Sequence, residues 1–83
     1  MMDVTIREYI GHKKELTAEQ VRKSPVGTRV LRHSFSRRGE HQTLECWVVQ
    51  SGCSHALAFT DVDGRTAVKK IQKETDRMCY TEV

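Results

Sequence analysis

Apolar and polar positions alternate in twos through the middle of this chain, and that rhythm carries most of the structural signal. From residue 28 to 36, Arg29, Leu31, His33 and Phe35 alternate with Val30, Arg32 and Ser34. A period of two puts successive side chains on opposite faces of a strand, whereas a helix repeats every ~3.6 residues. Leu31 and Phe35 mark the expected inward face. The alternation resumes from 43 to 50, with Leu44, Cys46 and Val48 on one side and Thr43, Glu45, Trp47 and Val49 on the other. β-Branched and aromatic residues concentrate there, as a pleated surface favours. A third run from 55 to 61 sets His55, Leu57 and Phe59 against Ala56, Ala58 and Thr60, and a fourth occupies 65 to 71.

The breaks between these runs have the chemistry of tight turns. Arg37-Arg38-Gly39-Glu40-His41 places one glycine among charges, and Ser51-Gly52-Cys53-Ser54 is small and polar. Asp63-Gly64 is the strongest short-range hairpin signal of the three, because both residues tolerate the positive φ that such turns require. Four strands joined by three turns make an antiparallel meander.

Outside the meander the pattern is shorter. Val4, Ile6 and Ile10 alternate with Thr5, Arg7 and Tyr9, which predicts an edge strand over residues 3–10 followed by a polar loop at 11–14. Thr17 is an N-cap with Gln20 as its capping-box partner, and Leu16 is placed to staple onto Val21. Pro25 biases Ser24 away from helical geometry, so the helix covers about residues 18–23. Residues 72–77 are polar and of mixed charge, and 78–83 regain strand-forming types. The segment 72–83 is therefore either a flexible tail or one that pairs with a sheet edge, the N-terminal strand first.

These elements predict a single small domain over residues 1–83. It is mostly β, of the small α+β kind, with the meander forming a strongly bent sheet or an SH3-like barrel and one short capping helix. A chain of 83 residues buries only about 60% of the surface its unfolded form exposes, so its core is small.

Composition narrows the class. Charged residues are 30% and hydrophobic residues 37%, without low-complexity bias, which suits a folded domain. Three cysteines, Cys46, Cys53 and Cys79, form no close pair and read as free thiols. No apolar run reaches the length of a membrane span, and the N-terminal residues lack a signal peptide's hydrophobic segment. A cytoplasmic location and no membrane partner are the expectations.

Charge placement says more than the net value of +3. Between Arg22 and His41 there are six basic residues, Arg22, Lys23, Arg29, Arg32, Arg37 and Arg38, against the single acid Glu40. One-sided basic regions favour an anionic partner. Arg29 and Arg32 fall on opposite faces of their strand, so the candidate nucleic-acid surface groups Arg29 with His33, Arg37 and Arg38.

Catalytic and metal chemistry find little support. Cys46, Cys53 and His55 do not have the close cysteine pairs of a zinc site. Asp61-Val62-Asp63-Gly64 lacks the later glutamate of a calcium loop. No residue set is a candidate catalytic group, metal site or cofactor site. The leading expectation is a non-enzymatic module that binds nucleic acid through Arg29, His33, Arg37 and Arg38. The alternative is a protein-binding accessory or inhibitor that uses an exposed sheet edge or the face carrying Trp47 and Val49, with self-association through a strand edge as a further form of it.

Overall fold

The computed structural model describes residues 4–11 and 14–83. The loop expected at 11–14 thus lies partly outside the described residues, as does the first residue of the expected N-terminal strand.

The elements in order are α1 (Ile6–Ile10), β1 (Glu15–Leu16), α2 (Ala18–Lys23), β2 (Arg29–Phe35), β3 (His41–Ser51), β4 (Ser54–Thr60), β5 (Thr66–Lys69) and β6 (Met78–Glu82). All six strands belong to one antiparallel sheet ordered β1-β6-β2-β3-β4-β5. The small α+β class and the β2 to β5 meander are as the alternation predicts. Among the described residues β1 and β5 are not paired with each other, so the sheet is open and the bent-sheet form, not the closed barrel, is the one adopted.

Two expectations are corrected. Residues 6–10 form a helix, and the reason is local. Ile6 and Ile10 are four apart, both buried, while Thr5 caps the first turn by accepting a hydrogen bond from Glu8 N–H and Gly11 ends it at φ 77. A left-handed residue at this position is a standard helix stop. The second correction concerns the partner of the C-terminal segment. Met78–Glu82 pairs with β2, the edge of the meander, as an edge-pairing segment would, but its other neighbour is β1 and not the helical residues 6–10, with Thr81 opposite Leu31 on one side and Glu15 on the other.

α2 follows its sequence signals closely. Thr17 Oγ1 accepts from Gln20 N–H at 3.1 Å, and Gln20 Oε1 accepts from Thr17 N–H at 2.8 Å. The helix stops at Ser24, in extended geometry before Pro25.

The sheet carries one helix on each face. α2 packs on the face of Val30, Cys46, Val48, Leu57 and Tyr80, which with Ala18, Val21, Ile71 and Met78 make the main core. α1 covers only the β2/β6 end of the opposite face, where Ile6 and Ile10 meet Cys79 and Phe35. Arg7 and Glu15 form an ion pair at 2.8 Å beside this smaller cluster, through a guanidinium N–H that is not aimed at the carboxylate. Among the described residues no helix lies over the remainder of that face, across β3, β4 and β5. No helix among the described residues is long and apolar enough to cross a membrane.

β3 is the longest strand, and its two ladders barely overlap. β2 pairs with it from His41 to Trp47 and β4 from Trp47 to Ser51. Beyond the Trp47 and Ala58 pair, Phe59 and Thr60 pair with β5 alone. The β4/β5 hairpin therefore parts from the β2/β3 hairpin at that point.

Candidate binding surfaces

The alternation of β2 correctly puts Arg29 and His33 on one face, yet the fold does not make them one surface. Arg29 is exposed and lies 4.0 Å from Glu45 across the ladder. Six residue steps along the strand lead from it to Phe35, a distance of about 20 Å. Arg37 and Arg38 are exposed in the turn beyond that far end.

Between them His33 is only 3% exposed and cannot serve as a surface contact. Its Nε2 lies 2.8 Å from Thr81 Oγ1, while Nδ1 lies 3.3 Å from Thr43 Oγ1 and 3.4 Å from His41 Nε2. The His41 ring stacks nearly parallel to it, and Tyr9 of α1 leans on His41 in turn. The burial has a clear cause: α1 lies over this end of the sheet, where an edge strand would have left the face open.

The fold adds one basic residue that sequence proximity did not suggest. Arg77 Nη2 donates to Ser36 O at 2.6 Å, and its guanidinium lies over the Phe35 ring. Arg37, Arg38 and Arg77 thus converge on one end of the sheet, with Glu40 and Asp76 beside them in the chain. Only the β2/β6 pairing brings Arg77 there, and no local pattern announces a pairing across such a separation.

Trp47 and Val49 sit where the β3 alternation puts them, on the face opposite α2. Trp47 lies between Arg29 and Ala58, and Val49 pairs with Ala56. Both are half-buried, as is Leu31, and Val68 of β5 is 55% exposed on the same face. Ala56 and Ala58, the cross-strand partners of Val49 and Trp47, are buried.

The thiols and other polar groups are dispersed. Burial pushes the Cys46 thiol up despite the nearby Arg32 charge, and burial likewise pushes up Cys79. A thiol shifted this way stays protonated at neutral pH and is a poor nucleophile. Cys53 is exposed in the β3/β4 turn, and His55 Nδ1 is bound to Arg22 O at 2.7 Å, so Cys46, Cys53 and His55 are not brought together. Among the described residues no three His, Cys, Asp or Glu side chains converge as metal ligands. Asp61 Oδ1 accepts from the backbone N–H groups of Asp63 and Arg65, both at 2.9 Å, which makes residues 61–65 a hydrogen-bonded turn.

Compared with known protein families, curated proteins and solved structures, the chain gives no match.

Proposed function

We propose that this chain is a non-enzymatic binding module that engages a protein partner through the open sheet face around Trp47. One observation carries the reading: α1 and α2 leave β3, β4 and β5 uncovered on that face, and Trp47, Val49, Leu31 and Val68 lie there together. Aromatic residues set among aliphatic ones on a sheet face are favoured anchors of protein interfaces. The Arg29 and Glu45 pair at its margin supplies a polar rim.

Nucleic-acid binding is the second reading, and the convergence of Arg37, Arg38 and Arg77 at one end of the sheet favours it. Phosphate contacts from these arginines would be lost steeply as salt rises.

One set of measurements separates the two. Sedimentation of the purified protein tests self-association first, since a second copy is the simplest partner. Affinity capture from lysate with wild type, Trp47→Ser and Arg37→Ala/Arg38→Ala follows, beside titration of labelled oligonucleotides at low and near-physiological salt. A partner or dimer retained in the arginine variant and lost in Trp47→Ser supports the protein-binding reading. Salt-sensitive oligonucleotide binding lost only in the arginine variant overturns it in favour of the second.

A further inference from the structure

On the other face, the parting of the β4/β5 hairpin from β3 opens a cleft whose walls differ in character. Leu44, Leu57 and Phe59 make an apolar floor, and Arg32, Lys69 and Lys70 stand around it, with no acidic residue among the lining side chains. The cleft is shallow: its enclosed space is about 10 Å3, room for a single water, and the rest is open to solvent. A ligand would therefore lie along its surface with only its head at the mouth and would not be enclosed.

Arg32 decides the chemistry. It is half-buried on β2, opposite Leu44 and Tyr80, where its charge reaches both Cys46 and Tyr80. A guanidinium offers about five N–H donors in a rigid fork. Arg32 makes no hydrogen bond or ion pair with any described residue, whereas Arg7 and Arg29 have carboxylates and Arg22 and Arg77 have carbonyls. Among the described residues Lys70 is likewise without an acid, and Lys69 lies over the Phe59 ring at 5.9 Å. A half-buried fork of unmet donors beside two ammonium groups and an apolar floor is complementary to an oxyanion carried on a short hydrocarbon body.

We propose that this cleft binds a small amphipathic anion, its carboxylate or phosphate head held by Arg32 with Lys69 and Lys70, and its apolar body laid along Leu44, Leu57 and Phe59. Trp47 and Val49 take no part, so this site stands or falls apart from the protein-binding face. The head is the shared chemistry, and the planar fork of Arg32 accommodates either kind.

The test is a titration of 15N-labelled protein with octanoate and with octyl phosphate, followed by amide and Arg32 Nε–H shifts, with octanol and acetate as the halves of the ligand. Saturable shifts at Leu44, Phe59, Lys69 and Lys70 with either anion, absent with octanol and acetate, are expected. Octanoate alone, octyl phosphate alone, or both producing them identifies the head. Arg32→Gln should weaken binding about tenfold or more, as loss of a charge-assisted pair does, while Lys23→Gln, at an exposed α2 lysine paired with Glu19, leaves it unchanged. Because Arg32 is half-buried, the surface variant Lys69→Gln/Lys70→Gln gives a second loss of affinity, and the spectra themselves report that each variant is folded. No saturable shift by about 10 mM, the weak end of specific binding, would overturn the proposal. So would equal shifts with octanol, or affinity untouched by the substitutions.

Discussion

His33 Nε2 and Thr81 Oγ1 lie 2.8 Å apart as diagonal neighbours across the β2/β6 ladder, and both residues are almost wholly removed from solvent. Neither can turn to water if the other is lost. Thr81→Val keeps the shape and removes the hydroxyl, and is expected to cost about 1–3 kcal/mol by leaving a buried ring nitrogen without that partner. In a domain of this size each kcal/mol lowers Tm by about 4–8 °C. Thermal unfolding of Thr81→Val beside Thr81→Ser measures it; equal stability of both variants with wild type contradicts the assignment.

That pair also marks where sequence legibility ended. The meander was readable because β2 to β5 are joined by short turns, and alternation with Gly39, Gly52 and Gly64 fixes both the strands and their order. α2 was readable because Thr17, Gln20 and Pro25 act on their own neighbours. The sequence of α1 carries both kinds of signal: beside the alternation, Ile6 and Ile10 are spaced for a helix, and Thr5 with Glu8 is a capping pattern. Over so few residues alternation and helical spacing overlap, and the choice between them decided the site. With a helix on that face His33 is buried; with an edge strand it would have been a surface cation. The place of β6 had no local signal at all, since its register is set by residues far upstream.

Tyr80 gives a second measurable contact. Its hydroxyl donates to Gln72 O at 2.8 Å and accepts from Gln72 N–H at 3.1 Å, pinning the strand-free segment after Ile71 onto the main core. Tyr80→Phe is expected to cost about 1–2 kcal/mol in urea unfolding. Burial pushes the Tyr80 pKa up, and outweighs the opposing effect of the Gln72 N–H. A raised native value means the contribution is complete below the unfolded value of about 10 and is lost as pH rises through the folded one. Wild type should therefore lose stability at alkaline pH relative to Tyr80→Phe, narrowing the gap between them.

At the acid end the informative group is Glu74. Its carboxylate accepts from Ala18 N–H at 2.8 Å at the start of α2, and this hydrogen bond, assisted by the Arg7 and Lys73 charges, holds its pKa below the ordinary value. A lowered native value contributes stability above the unfolded value of about 4.3, lost as pH falls through the folded one. The group is solvent-screened, so Glu74→Gln is expected to cost only ~0.5 kcal/mol at pH 7, with the difference shrinking as pH falls below the unfolded value of about 4.3. Unfolding of both proteins across that range checks the sign.

The thiols predict an accessibility pattern. Cys53 is exposed, whereas Cys46 and Cys79 are buried with raised pKa values. A thiol reagent at neutral pH should modify Cys53 rapidly and the other two only after denaturant is added. Mass spectrometry of labelled peptides distinguishes them, and fast modification of Cys79 in the native protein would contradict the packing of α1 on β6.

The position of β6 between β1 and β2 has a kinetic meaning. Strands β2 to β5 meet through neighbouring hairpins, but β6 must return across the intervening chain to pair with β1 and β2. Contacts between distant segments carry the larger loop-closure cost and set the slow phase of folding. A slip of one residue in that late pairing would turn Thr81 to the other face and leave His33 without its oxygen. The last seam to close is thus also the one where a buried polar pair rejects a wrong register.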